Sequence, residues 1–443
     1  MDAVLRERLL NSIENDRLVL FCGAGLSMSE PSQVPSAAAL ARTCSEAYAR
    51  DFGIDLPGDF ADDLEKMAEH FATNGLLVST FINKLIPRAP FLRDPNAGHY
   101  ATADFLATGV IDFAVSTNVD TLIEVAAEEL GEAQAFVAIN AGEANITRPH
   151  RPHIKLHGCL RLNAHETVWC KSQLRKAPIQ SRLRELDTWL RSHLVGRDVV
   201  FLGFWSDWAY LNQIFETSID AIEGGFVVIV NPSDEATLAE KAPRLWERSG
   251  SGSSQRFLVR QSAAEFLAEL RGLIWAHFMN RLLRQGLGTY NALAGTHVGH
   301  VPLPDSISVE EVYRLKQDAC GSPAGSLSRA KRPDASMNMV GAVHCGLRHN
   351  GAEIDGSAYR LNGQRIRVLN AQGHLLTQFR GEFEHEPEPF WPVDVVVCVG
   401  AKDDGGVPLN IARANKANRT IVRPLSSGEW MTEDQAAKLW REV

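Results

Sequence analysis

The chain has 443 residues, 45 Lys and Arg against 54 Asp and Glu, a net charge of -9 and 45% hydrophobic residues. That length suffices for two or three domains with their own cores, and the acidic balance argues against direct nucleic-acid binding. Seven cysteines without a Cys-x-x-Cys pair argue against a disulfide framework or a structural zinc site, and the lack of a membrane-length apolar run or a secretory leader pattern predicts a cytoplasmic protein without a metal.

Residues 2–15 place Val4, Leu5, Leu9, Leu10 and Ile13 at helical spacing, which predicts an amphipathic helix ahead of the first strand. Leu18 to Cys22 is nearly all apolar, as in a parallel strand buried on both faces, and runs into Gly23-Ala24-Gly25. Two glycines directly after a strand let backbone N–H groups approach an anion, which makes this turn a candidate nucleotide site. Met28 stands where the ordinary dinucleotide fingerprint has its third glycine, and a tight turn without a ligand fits the same residues. Residues 27–35, rich in Ser and Pro, read as a mobile loop over the site. Helical composition returns at 37–48, and further helices are expected across 60–86 until Pro87 ends the pattern.

A second strand is expected at 110–115, running into Ser116-Thr117-Asn118-Val119-Asp120 and then a helix over 122–130. Polar groups at the carboxyl end of a buried strand lie where α/β sheets bind ligands, although Asn118 or Asp120 would serve equally as a helix cap. Residues 135–139 read as a third strand and 153–156 as a fourth, ending in His157-Gly158. An isolated histidine is commonly structural, but this one also stands at a strand end.

A long helix then reaches Leu194 with Pro178 in its first turn. Strands at 198–202 and 226–230 end in Gly203-Phe204-Trp205-Ser206-Asp207 and Asn231-Pro232. Five or six strands alternating with helices predict an α/β fold, a Rossmann-like doubly wound parallel sheet with helical insertions. An apolar helix over 262–283 closes it, giving an expected catalytic domain at 1–283 and a connecting region at 284–335.

Residues 336–443 read as a smaller C-terminal β-containing α/β domain with a regulatory or partner-binding role. Short strands are expected at 342–347, 359–361 and 365–369, with Asn350-Gly351 and Asn362-Gly363 as turns. A strand at 393–399, a loop at 403–406, a helix at 409–416 and a strand at 420–422 would complete it.

Taken in order, Gly23-Ala24-Gly25-Leu26-Ser27, Ser116-Thr117-Asn118-Val119-Asp120-Thr121-Leu122, Lys155-Leu156-His157-Gly158, Gly203-Phe204-Trp205-Ser206-Asp207 and Ile229-Val230-Asn231 resemble the motif series of the sirtuin superfamily. The resemblance covers roughly residues 15 to 275. It implies NAD as the bound molecule, held by Gly23, Ala24, Gly25, Ser27, Thr117, Gly203, Ser206 and Asn231. Asn118 and Asp120 would then contact the nicotinamide ribose and carboxamide, and His157 would be the base.

Two departures separate this chain from the protein deacylases of that superfamily. Only Cys159 and Cys170 occur where those enzymes carry a four-cysteine zinc module, and Val34-Pro35-Ser36-Ala37-Ala38 replaces a Pro-Asp-Phe-Arg-like segment. What remains resembles the bacterial sirtuin-like proteins of antiphage defence. That resemblance implies an NAD+ glycohydrolase that depletes NAD when triggered, as a homo-oligomer or with a partner encoded nearby. The alternative class is a non-hydrolytic NAD- or ADP-ribose-binding subunit, or a deacylase or ADP-ribosyltransferase.

The residue types suit glycosidic cleavage, which passes through an oxocarbenium-like transition state. Asn118 is expected to orient the ribose and the attacking water, Asp120 to hold the carboxamide, and His157, with an ordinary pKa near ~6.5, to take the proton.

Overall fold

The computed structural model describes residues 1–130, 137–146, 151–203, 211–212, 214, 225–250, 255–304, 307–322, 336–383, 392–402 and 428–436. The chain divides into two compact units, Met1–Ala268 and Glu269–Val443.

In the first unit, helix α1 (Ala3–Glu14) is capped by Asp2, whose carboxylate accepts the Leu5 N–H at 2.8 Å, and leads into strand β1 (Leu18–Cys22), buried on both faces. Six further strands follow: β2 (Phe113–Ser116), β3 (Val137–Ala138), β4 (His153–Lys155), β5 (Asp198–Leu202), β6 (Phe226–Val230) and β7 (Gln255–Val259). They form one sheet in the order β3-β4-β2-β1-β5-β6-β7, and every pairing is parallel. The doubly wound arrangement expected from the alternation is therefore present, with one strand more than the sequence suggested. The extra strand, β7, lies at the sheet edge and is half exposed, so it lacks the unbroken apolar run that marks β1, β5 and β6.

Chain order reverses at β1, whose first crossover leads to β2 on one side while β5 lies on the other. In doubly wound sheets, ligands bind in the crevice outside the carboxyl ends of the strands at such a point. One sheet face is filled by Val19, Phe21, Phe113, Val115, Ile154 and Phe201, packed against Leu186, Trp189 and Leu190 of the helix Ala177–His193.

Between β1 and β2 stand helices α2 (Ala37–Phe52) and α3 (Leu64–Thr73), a π-helical segment at Leu77–Leu85 and helix α4 (Ala97–Thr108). The first three build a core of their own around Leu40, Met67, Phe71, Phe81 and Leu85, and Val119, from the turn after β2, is part of it. The turn carrying Asn118 and Asp120 is thereby anchored in the helical insertion. The sequence-based reading omitted α4. Asn96 caps it, accepting the N–H groups of Gly98 and His99, and the His99 ring accepts the Asn96 N–H in return.

The second unit carries a five-stranded sheet in the order β12-β11-β10-β9-β8. Here β8 (Glu353–Asp355), β9 (Ala358–Leu361) and β10 (Gln364–Asn370) are antiparallel neighbours, while β10, β11 (Val395–Val399) and β12 (Glu429–Thr432) run parallel. Asn362 and Gly363 form the two-residue turn between β9 and β10 with φ of 49° and 81°, as the Asn-Gly signal anticipates. A buried Arg367 on β10 donates twice to Asp318, at 2.7 and 2.6 Å, from the helix Val309–Ala319.

One expectation is overturned: residues 342–347 are not a strand but the middle of a helix, Ser336–His349. Every side chain from Ala342 to Cys345, and Leu347, is buried, so a six-residue apolar window carries no period by which to tell strand from helix. Asn350-Gly351 accordingly turns a helix into β8 and does not join two strands. The expected loop at 403–406, helix at 409–416 and strand at 420–422 lie outside the described residues.

Candidate functional site

The strand ends arrive in register. Cys22 pairs with Ser116 and Leu202, and Ser116 pairs with Lys155, so Gly23, Thr117, Leu156 and Gly203 leave the same edge of four neighbouring strands. Parallel neighbours lie about 5 Å apart, which brings side chains one or two residues past the edge within reach of a common ligand. Asn118 and His157 each stand two residues beyond the Ser116 and Lys155 pair.

The first turn is built by backbone alone. The Gly23 N–H donates to the Leu202 carbonyl at 2.9 Å and the Gly25 N–H to the Gly203 carbonyl at 3.0 Å. A Cβ on Gly25 would lie 2.7 Å from Gly203 Cα, and one on Gly203, at φ +56°, would lie 2.6 Å from Gly25 Cα. Both positions therefore require glycine, one for space and the other also for its backbone angle. Leu26 closes a short 3-10 turn, from which Ser27 points inward, 1% exposed.

Ser27 is the hub of a buried polar network, and its proton arrangement can be deduced. The Asn96 N–H donates to His99 Nδ1 at 3.0 Å, so the ring proton sits on Nε2, which lies 3.1 Å from Ser27 Oγ. The Ser27 hydroxyl donates in turn to Asp120 Oδ2 at 2.9 Å and accepts from Asn118 Nδ2 at 3.2 Å. Burial, the largest influence, lowers the His99 pKa to about 4, so the ring is neutral as this pattern demands. With two bonds accepted and one donated, the hydroxyl is fully committed to orienting its neighbours.

Asn118 closes the network on the ligand side. Its Nδ2 also donates to the Gly23 carbonyl at 3.1 Å, and a carbonyl can only accept, which fixes the orientation of the amide. Its Oδ1 is buried and has no hydrogen-bond partner among the described residues. Orphaned buried acceptors are uncommon and costly, so this oxygen marks a position prepared for a donor. Asp120, by contrast, spends Oδ2 on Ser27 and Oδ1 on the N–H of Leu122, the first residue of the helix Leu122–Glu129, at 3.2 Å.

Below this network Lys155, at the end of β4, donates to Glu124 Oε1 at 2.7 Å and to the main-chain carbonyl of Asp120. His153 on the same strand is buried, with its Nδ1 3.9 Å from Glu124 Oε2. Burial first, then the Lys155 charge, lowers its pKa to about 3. His157, half-buried, is also held neutral: burial and then the Arg182 charge bring its pKa down to about 3. Arg182 reaches this corner by donating to the Leu156 carbonyl at 3.3 Å.

Of the residues expected to hold a ligand, Gly23, Ala24, Gly25, Ser27, Thr117 and Gly203 lie together at the β1, β2 and β5 ends, with the Thr117 N–H on the Cys22 carbonyl at 3.2 Å. Asn231 lies at the end of β6, where its side chain accepts the Ser233 N–H at 3.0 Å. Ser206 lies outside the described residues. The loop read as mobile is tied down by Ser32, which donates to the Asp94 carbonyl at 2.8 Å, and by Arg93, which donates to the Gln33 carbonyl at 2.8 Å.

Residues 112–252 match a family model described as a SIR2-like domain. These residues of the first unit are distantly similar to Sir2-like domains. No curated protein is similar enough to match the chain. Among solved structures, a Sir2 homologue in complex with NAD is 18% identical, over 61% of this chain and 92% of that one, with a TM-score of 0.32. A Sir2 homologue in complex with ADP-ribose is 20% identical over 63% and 98%, with a TM-score of 0.34. A Sir2 structure with a p53 peptide and NAD+ is 17% identical over 61% and 97%, with a TM-score of 0.35.

Sequence reasoning missed three members of this polar cluster: His99, Lys155 and Glu124. For His99 a signal existed, since Pro95-Asn96 before Ala97-Gly98-His99 is a helix start with a capping partner three residues on. For Lys155 the signal was a cation in a buried strand, which demands a carboxylate partner somewhere.

Proposed function

We propose that this protein is an NAD+ glycohydrolase whose reaction is NAD+ and water to nicotinamide, ADP-ribose and a proton. The observation that carries the reading is Asn118 Oδ1, a buried and unspent acceptor on an amide fixed by Gly23 and Ser27, at the strand-end crevice where a dinucleotide would sit. Its natural complement is a donor such as a ribose hydroxyl or a water. The NAD and ADP-ribose named with the solved Sir2 structures support the choice of dinucleotide.

In this reading the bond between the anomeric carbon and the nicotinamide nitrogen breaks with its electron pair leaving on nicotinamide. Water then attacks the oxocarbenium carbon, and its proton passes to the neutral His157 or to solvent. An imidazole of such low basicity suffices because the electrophile is a cation and the water acidifies only as the new bond forms. Asn118 orients the ribose and water, Ser27 and Asp120 hold Asn118, and the glycine turn receives the phosphates with Ala24, Thr117, Gly203, Ser206 and Asn231 around it.

The resemblance to antiphage sirtuin-like proteins extends the proposal to a cytoplasmic effector that depletes NAD+ when a partner or assembly triggers it. Residues 336–443 would receive that signal. The test is nicotinamide release from NAD+ with no acylated or nucleophilic acceptor present, together with cellular NAD+ on co-expression with neighbouring genes. Release that is equal in the parent, Asn118→Ala and His157→Ala proteins would overturn it. Binding of NAD without release would favour a regulatory subunit, and acceptor-dependent release a transferase.

A further inference from the structure

Lys155 has a charge in a place where charge is expensive. It is the last residue of β4, its side chain is 1% exposed, and its partner across the sheet is the uncharged, buried Ser116. A leucine would fill a strand end as well without the desolvation cost of an ammonium. The three N–H donors of Lys155 go to Glu124 Oε1 at 2.7 Å, to the Asp120 main-chain carbonyl and to Cys159 Sγ at 3.6 Å.

What these bonds join is informative. On one side, the Asp120 peptide belongs to the turn that continues through the Asp120 carboxylate to Ser27 and from Ser27 to the Asn118 amide. On the other, Lys155 is joined through Leu156 to His157. Backbone bonds from Leu156 to the Ser116 carbonyl and from Leu160 to the Val119 carbonyl, both 2.9 Å, bracket the same two stretches. Neither touches the Asp120 peptide, which is held by the ammonium.

We infer that Lys155 is a positioning residue for NAD+ cleavage: by clamping the Asp120 carbonyl it sets the separation between the Asn118 amide and the His157 imidazole. Glu124 neutralises the buried ammonium and directs it at that carbonyl. The inference rests on the glycohydrolase reading above and adds the group that keys the two halves of its machinery together. A displacement of about 1 Å between reacting groups costs on the order of 100-fold in rate, so the effect falls on turnover and not on binding.

The experiment uses full-length protein carrying Lys155→Met/Glu124→Leu, which removes both charges at similar volume and leaves no lone buried ion, with Lys155→Met alone as a second variant. Nicotinamide release gives kcat and KM, calorimetry gives the ADP-ribose Kd, and circular dichroism with thermal melting reports folding. The expected result is folded protein with KM and Kd within about threefold of the parent and kcat lower by about 100-fold. A folded variant with parental kcat overturns the inference, as does a kcat that falls only in step with the fraction folded or with ADP-ribose affinity. Failure of both variants to fold would assign Lys155 to the fold alone and overturn it too. A parent that neither binds ADP-ribose nor releases nicotinamide would instead bring down the glycohydrolase reading, and this inference with it.

Discussion

The Ser27 hydroxyl donates to Asp120 Oδ2 at 2.9 Å, joining residues 93 apart in sequence across the carboxyl edge of the sheet. The same oxygen accepts from Asn118 and from His99, so one small side chain satisfies three others. Its removal takes one bond from each of the three.

Ser27→Ala should therefore leave the Asp120 carboxylate and the His99 Nε2–H short of a partner inside the protein. Denaturant unfolding should show a loss of about 1–3 kcal/mol, the usual cost of a buried unpaired group. The rate of NAD+ cleavage should fall on the order of 100-fold, because Asn118 keeps only its bond to Gly23. A Ser27→Ala protein with parental stability and rate would refute the hub role.

Asn118→Ala should separate chemistry from stability. The side chain contributes two bonds to the fold through Nδ2 while its Oδ1 contributes none among the described residues. A stability loss of about 1 kcal/mol is expected, against a fall in kcat of order 100-fold or more. Comparable losses in both would mean that the amide serves the fold.

The pH profile tests His157. A base must be neutral to act, and this imidazole stays neutral down to about 3, with burial the main cause and Arg182 the second. Between pH 8 and pH 5.5, kcat/KM should stay within about twofold, where an ordinary histidine near ~6.5 would lose about tenfold. A limb near pH 6.5 would show a solvated imidazole. Moving Arg182 to Gln should shift any acid limb upward, since the guanidinium disfavours a second positive charge beside it.

Acid should unfold the first unit early. His99, His153 and His157 are held neutral when folded, with values near 4, 3 and 3, while each would protonate below ~6.5 when unfolded. The unfolded state thus binds more protons as pH falls from 6.5 towards 4, and stability drops by about 1.4 kcal/mol per pH unit for each histidine. His153→Leu should be nearly neutral at pH 7.5, because neither ring nitrogen has a hydrogen-bond partner among the described residues, and should flatten this slope by about one proton. Urea midpoints measured from pH 7.5 to 5 decide it, and an unchanged slope would be the contrary result.

How much of this could be read from the chain depended on where the information lies. Strands β1, β5 and β6 are buried along their whole length and bounded by Gly or by polar residues, so composition alone delimits them. The ends of β1 and β5 were legible for the same reason, and with them the positions of Gly23 and Gly203 at the sheet edge. Helix α4 was not, because Ala101 to Leu106 are buried nearly all round and leave no polar stripe. His99 and the Lys155–Glu124 pair escaped because their meaning is relational: the ring meets Ser27 at a separation of 72 residues, and the ammonium meets its carboxylate at 31. A lone polar residue in an apolar stretch announces that a partner exists without saying which.

The contact of Gly25 with Gly203 limits how such a crevice can diversify. Main chain meets main chain there, with no side chain between whose size could be traded, so even a methyl group would pry two adjoining strands apart. The floor is consequently an all-or-none component. Any change in which guest the crevice accepts must be written in its walls, in residues such as those flanking Asn118 and His157, while the seam beneath them stays as it is.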